Sequence, residues 1–224
     1  MTVLHLADEG EAADLAAFLS RLLHYDRGAA VRLQAVGTAL AVFGRPPSFE
    51  VLAVRAVRLA KPYEHGLDDT LDVTVSAGEL LESVDEAGAT AAVPAAVTGP
   101  PWAGVLPPRG GWQPVAGLPG AEELRRLVST AVAEFRGRTE ELAPEERTRS
   151  RLDLIGREIW SRTIADTGLP VRAVHAAQSL GFLRAGAAAP ARLVASGAWL
   201  RLRTPYGSVA VRRSGLGTFG LSVR

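Results

Sequence analysis

The chain has 224 residues, 47% hydrophobic and 22% charged, the balance of a packed globular protein of one large or two small domains. It has no cysteine, which excludes disulfides, thiolate nucleophiles and cysteine-ligated metals together. No apolar run approaches the roughly 20 residues needed to span a bilayer. The opening MTVLHLADEGEA turns acidic at once, without the basic start and apolar core of a signal peptide, so the expected setting is the cytoplasm, away from membranes.

In chain order, TVLHLA (2–7) reads as a short strand. Glu9 to His24 reads as a helix, because Leu15, Phe18, Leu19, Leu22 and Leu23 share one apolar face. AAVRLQAV (29–36) alternates apolar and polar residues, the period of a half-buried strand. Gly37 breaks it and TALAVFG (38–44) returns, predicting a hairpin. GRPPS (44–48) is a turn, since two prolines cannot continue a ladder. FEVLAVRAVRLA (49–60) is a further strand, KPYEHGLDD (61–69) a polar loop, LDVTVS (71–76) a strand and AGELLESVDE (77–86) a short helix.

ATAAVPAAVTGPPWAGVLPPRGGWQPVAGLPG (89–120) is too rich in proline and glycine for regular structure, yet too apolar for a free linker. It reads as an ordered strap. Proline lowers the entropy lost on fixing it, and Trp102 and Trp112 anchor it, largely buried, in grooves of the flanking units.

Residues 120–138 carry Leu124, Leu127, Val128, Ala131, Val132 and Phe135 at the spacings of a core-facing helix, with Glu122 and Arg126 paired outside. A second helix starts near Pro144 and turns Leu152, Ile155, Ile159 and Trp160 inward. A third runs from Val171 to Ser179, and SGAWLRLRTPYGSVAVRR closes the chain as a hairpin turning near Tyr206–Gly207. The fold class is therefore α+β. An antiparallel-sheet-plus-helix domain (1–87) leads through the strap (88–119) to a helical unit closed by a β-hairpin (120–224).

The run LDVTVSAGELLESV, after a helix and three strands, resembles one domain of a DNA-polymerase sliding clamp over about 80 residues, a likeness of fold alone. PPRGGWQP followed by an amphipathic helix, then GFL and WLRL, looks like uncharacterised proteins of high-GC actinobacteria, a resemblance that implies no activity.

Chemistry-bearing motifs are few. GLGTFG (215–220) has the G-x-G-x-x-G spacing, but only LSVR follows, too little for the helix that would hold a pyrophosphate. His65 with Asp68, Asp69 and Asp72 is the one local group of metal-ligand types, and it reads as a solvated loop. No catalytic, cofactor-binding or metal-binding residue is nominated.

Charge is more informative. Residues 1–120 carry 14 acidic and 8 basic side chains, net −6, whereas residues 121–224 carry 10 and 17, net +7. No acid follows Asp166. Of the 25 basic residues 24 are arginine, which with the alanine and glycine content suggests codon bias as well as function. Two groups stand out. Arg172, His175 and Gln178 would lie on the exposed face of a second helix in a winged helix-turn-helix order, although two core helices joined by a turn explain the same pattern. In the terminal hairpin, Trp199, Arg201 and Arg203 alternate against Leu200 and Leu202, and Arg212 points to the same side, while Arg213 packs inward with Val209 and Val211. That face suits either nucleic acid or docking onto the acidic half, within one chain or between two. The leading expectation is a non-catalytic cytoplasmic interaction or adaptor protein that binds a protein partner or itself as a homo-oligomer. The alternative is a nucleic-acid-binding protein using the arginine-rich unit, and a hydrolase or metal enzyme ranks last.

Overall fold

A computed structural model describes residues 2–61, 64, 71–187 and 189–213. The fold is α+β, and its first half follows the expected order closely. Strand β1 (Val3–His5) leads to helix α1 (Glu9–Tyr25), whose first turn is fixed by Asp8: its Oδ1 accepts the Glu11 N–H at 2.9 Å. Leu15, Phe18, Leu19 and Leu22 form the buried stripe of α1. Strands β2 (Ala30–Val36) and β3 (Ala39–Gly44) form a hairpin that turns at Gly37, with φ +57°. Then come β4 (Leu52–Arg58), β5 (Asp72–Ser76) and α2 (Ala77–Glu82), followed by β6 (Val84–Asp85) and β7 (Thr90–Ala92).

The second half holds β8 (Gln113–Val115), helices α3 (Ala121–Glu140), α4 (Arg149–Trp160) and α5 (Val171–Ser179), and strands β9 (Arg192–Ser196), β10 (Trp199–Thr204) and β11 (Gly207–Arg212). β9 is an addition to the expected hairpin and makes it a three-stranded meander. The strap also gains regular structure at β7, at β8 and in a 3-10 turn over Pro101–Gly104.

The two halves share one sheet. Its eight strands run β5-β2-β3-β4-β11-β10-β9-β8, every pair antiparallel, and β1-β7-β6 form a separate small sheet. The junction is the β4–β11 ladder, where Val54, Ala53 and Leu52 pair with Ser208, Val209 and Ala210. Outward from it the order repeats: β3 then β2 on one side, β10 then β9 on the other, each meander entered after a helix, α1 or α5. The terminal hairpin therefore sits inside a sheet, where a winged-helix wing would stand free.

α1, α2, α3 and α5 bury their apolar faces with one side of the sheet in a single core. Across the junction Phe18 stacks on Phe182, 5.7 Å between centroids. A buried ionic clasp spans the same seam. Arg55 on β4 reaches Glu11 at 3.0 Å and Asp14 at 3.2 Å on α1, and donates to the Tyr206 carbonyl at 2.8 Å.

The strap crosses the other side of the sheet. Ala96 bridges Val75 on edge strand β5, the Arg32 guanidinium on β2 donates to the Ala103 carbonyl, and Trp102 and Leu106 pack on Phe43, Leu52 and Val54. Ser196 Oγ on β9 then donates to the Gly110 carbonyl at 3.2 Å, and β8 adds to β9 as the last strand. The strap is thus tied to both ends of the sheet. Trp102 and Trp112 are half-buried, less covered than expected: Trp102 packs on the Phe43, Leu52 and Val54 cluster, and Trp112 has the Arg201 guanidinium 5.8 Å from its ring.

Smaller expectations shift as well. Leu127 remains 39% exposed, since the stripe that seats α3 runs through Leu124, Val128 and Ala131. Glu122 pairs with Arg125, one residue short of Arg126. Arg213 lies past the end of β11 and is exposed. His65, Asp68, Asp69 and GLGTFG (215–220) lie outside the described residues. Among the described residues no helix is long and apolar enough to cross a membrane, and no cluster of three metal-ligating side chains occurs.

Candidate functional site

An open cleft of about 900 Å³ is lined by both halves. The first half supplies Tyr25, the last residue of α1, and the turn Pro47–Phe49 that two prolines impose. Glu50 ends that turn in a left-handed conformation, φ 52°. The second half supplies Phe135 from α3, Leu152, Asp153, Gly156, Arg157, Trp160 and Ser161 from α4 and its end, and Arg172 and His175 from α5.

Local sequence explains the shape. α4 starts at Thr148, whose Oγ1 accepts the Arg151 N–H at 3.3 Å, and its buried residues are Ile155, Gly156 and Ile159. A Cβ at Gly156 would meet Trp160 Cδ1 at 3.4 Å and Phe135 Cε2 at 3.6 Å, ordinary contact distances, so both rings lie beside this turn of the helix. α5 turns Ala173, Val174, Ala176 and Ala177 into the core, which leaves Arg172 and His175 facing the cleft.

Five rings from both halves form a continuous wall. Tyr25 meets Phe49 edge-on at 5.2 Å, and Phe49 meets His175 edge-on at 5.1 Å. His175 stacks on Trp160 at 4.7 Å, and Trp160 leans on Phe135 at 6.0 Å. Burial pushes the His175 imidazole below its ordinary value, so at neutral pH it serves as an uncharged ring. Arg172 brings charge to this wall. Its Nε lies 3.8 Å from the exposed Glu50 carboxylate, too far for a hydrogen bond, and is buried with no other partner. Such an atom lacks the bond that buried donors normally make. Behind His175 lies a smaller hollow of about 480 Å³ lined by Val128, Val132, Arg136, Gln178 and Ser179 among others, and Gln178 Oε1 is buried there without a partner.

Arg172, His175 and Gln178 therefore do flank one side of α5, but that side forms the walls of two hollows and is half-buried. Tyr25, Phe49 and Phe135 were not nominated from the sequence, and Trp160 was placed only as a core residue. Nothing local marks them as a set, because they come from four separate elements.

The hairpin residues lie on the opposite side of the sheet, under and beside the strap. Trp199 packs on the Phe43, Leu52 and Val54 cluster, with the Arg212 guanidinium 5.7 Å from its ring centroid. Arg201 lies 5.8 Å from the Trp112 ring and donates to Ser208 Oγ at 2.8 Å. Trp199 is thus partly covered by the first half, while among the described residues Arg201, Arg203 and Arg212 form no ion pair with its acidic side chains. That half instead meets Arg184, which reaches Asp14 at 2.8 Å, and Arg172 on the helix side. The hairpin joins it through the β4–β11 backbone ladder.

Sequence comparison divides the chain close to the middle of the strap. Residues 1–104 match a family model described as Domain of unknown function (DUF8010), and residues 107–216 match a second, Domain of unknown function (DUF8185). No curated protein and no solved structure matches the chain. The aromatic cleft takes residues from both matched regions, so each similarity covers only part of it.

Proposed function

We propose that this chain is a non-catalytic cytoplasmic interaction protein whose recognition site is the aromatic cleft between its halves. The observation that carries this reading is the Phe49–His175–Trp160 stack beside an Arg172 Nε that is buried without a hydrogen-bond partner, its nearest carboxylate, Glu50, being 3.8 Å away. A ring or apolar side chain can extend the stack, and a carboxylate can complete the arginine. The fitting partner is a protein segment that carries an aromatic residue next to an acidic one. Concave sites with apolar walls and a few convergent polar groups are where such recognition concentrates. Self-association by strand addition to the eight-stranded sheet is disfavoured. Ala96 covers part of edge strand β5, and the short edge strand β8 contains Pro114.

The experiment is fluorescence anisotropy against a panel of short peptides pairing Phe, Tyr or Trp with Asp or Glu. Wild type is compared with Trp160→Ala, His175→Ala, Arg172→Ala and the distant Arg203→Ala, each checked for folding by circular dichroism. The expected result is a peptide whose affinity falls at least about tenfold in the cleft variants, the loss of ~1.4 kcal/mol or more, and holds in Arg203→Ala. Binding that survives every cleft substitution would reject the cleft as the site.

A further inference from the structure

The back of β9–β11 carries positive charge that no acidic side chain among the described residues neutralises. Arg192 and Arg203 are direct partners across the β9–β10 ladder and point to the same side. Like charges placed opposite one another on a sheet destabilise it. Arg201 stands on that side two residues from Arg203, and Arg212 is next to Trp199 across the β10–β11 ladder. Among the described residues none of these four arginines has an acidic partner. Arg201 is half-buried, and the side-chain hydrogen bond it makes, to Ser208 Oγ, is to a neutral group. Burial, and secondarily Arg203, push its guanidinium down to about 10.

Two features fix the chemistry of the missing partner. The cations stand in rows, which suits a chain of negative charges more than a single ion. Two indoles, Trp199 and Trp112, lie among them and are only half-buried. A cationic surface with interleaved aromatic rings binds single strands, phosphates meeting arginines and bases stacking on rings. We propose that the back of β9–β11 is a binding site for single-stranded nucleic acid, held by Arg192, Arg201, Arg203 and Arg212 with Trp112 and Trp199 as stacking platforms. This site is separate from the aromatic cleft and does not depend on it.

The test titrates the full chain into a fluorescently labelled oligothymidylate of about 20 nucleotides, longer than a typical single-strand site, across about 50 to 200 mM salt. Tripolyphosphate and a duplex of the same length are the competitors. The expected result is salt-dependent binding to the single strand, with weaker competition from the duplex and little from tripolyphosphate. Arg192→Ala and Arg203→Ala should each flatten the log–log salt slope by about 0.7. Both residues are exposed, so folding should survive. Removing either should raise the melting temperature of the free protein, because a repulsive pair is relieved, a change that a structural arginine would not produce. Arg157→Ala in the cleft should leave the titration unchanged. No binding, equal competition by tripolyphosphate, a duplex preference, or a slope indifferent to both arginines would each overturn the proposal.

Discussion

The imidazole of His175 lies on the indole of Trp160, 4.7 Å between centroids and 29° between planes. The stack joins α5 to α4, and Phe49 closes on the other side of His175 from the first half of the chain. Burial lowers the His175 pKa from its ordinary 6.5, so the unfolded chain takes up a proton more readily than the folded one. The stability His175 contributes is therefore complete above pH 6.5 and is lost as pH falls toward the depressed folded value. Thermal melts from pH 8 to pH 5 should show this fall in wild type. His175→Phe, which keeps a ring but cannot titrate, should remove that component. Equal pH dependence in both proteins would show that His175 is not the linked group.

Arg55 makes a second prediction at the seam between the halves. Its side chain is 7% exposed and Glu11 is 11% exposed, so both charges are withdrawn from water. Arg55→Leu should destabilise the fold by about 3 kcal/mol, the lower end expected when one partner of a buried pair is removed, because Glu11 keeps Arg58 at 2.8 Å. Replacing Glu11 by Leu as well should recover part of the loss, since a buried carboxylate left with only the exposed Arg58 goes with it. Urea denaturation of the single and double variants measures both steps. A cost under about 1 kcal/mol, the value of an exposed pair, would show that the clasp is not desolvated in solution.

Glu158 offers a surface counterpart. Arg138 meets both of its carboxylate oxygens at 2.8 Å, and Arg162 adds a contact at 3.3 Å, linking α3 to α4. Chiefly through Arg138, the Glu158 carboxyl is pulled to about 2. Its contribution is thus present above the ordinary 4.5 and is lost as pH falls toward 2. Carbon NMR of the Glu158 carboxyl should give a midpoint near that low value. Arg138→Ala should raise it more than Arg162→Ala does, and the reverse order would contradict the geometry.

How far these relationships were visible in the sequence depends on their range. α1 and α5 were legible because a local cap or an apolar stripe defines them, and the bounds of α5 match the expected Val171–Ser179. β4 was legible as a strand but not as a central one. Its apolar run contains Leu52, Ala53, Val54 and Val57, all buried, because the helices cover one side and the strap and Trp199 cover the other. The β4–β11 ladder joins residues more than a hundred positions apart, and no local period encodes such pairing. The cleft was hidden for the same reason. Periodicity placed Arg172 and His175 together, yet only tertiary packing puts Phe49 and Trp160 against them.

The strap is the last test, because its order rests on contacts its composition only suggested. Trp102 packs on Phe43, Leu52 and Val54 midway across the sheet. Farther on, Trp112 Nε1 donates to the Pro108 carbonyl at 3.0 Å, and Ser196 Oγ donates to the Gly110 carbonyl. Arg109 lies between these ties with its side chain exposed, a trypsin site whose backbone is held on both sides. A protease needs that backbone to open, so cleavage follows the population of the released strap. In wild type, trypsin should cut after Arg109 slowly. Trp102→Ala should cost about 2 kcal/mol, roughly half the value for a fully buried tryptophan, and cleavage after Arg109 should quicken by about tenfold or more if most of that energy opposes release. The exposed Arg147, in the turn before α4, provides an internal reference whose cleavage should not change. Fast cutting after Arg109 in wild type, with both halves left intact, would show that the strap is not fastened to the sheet.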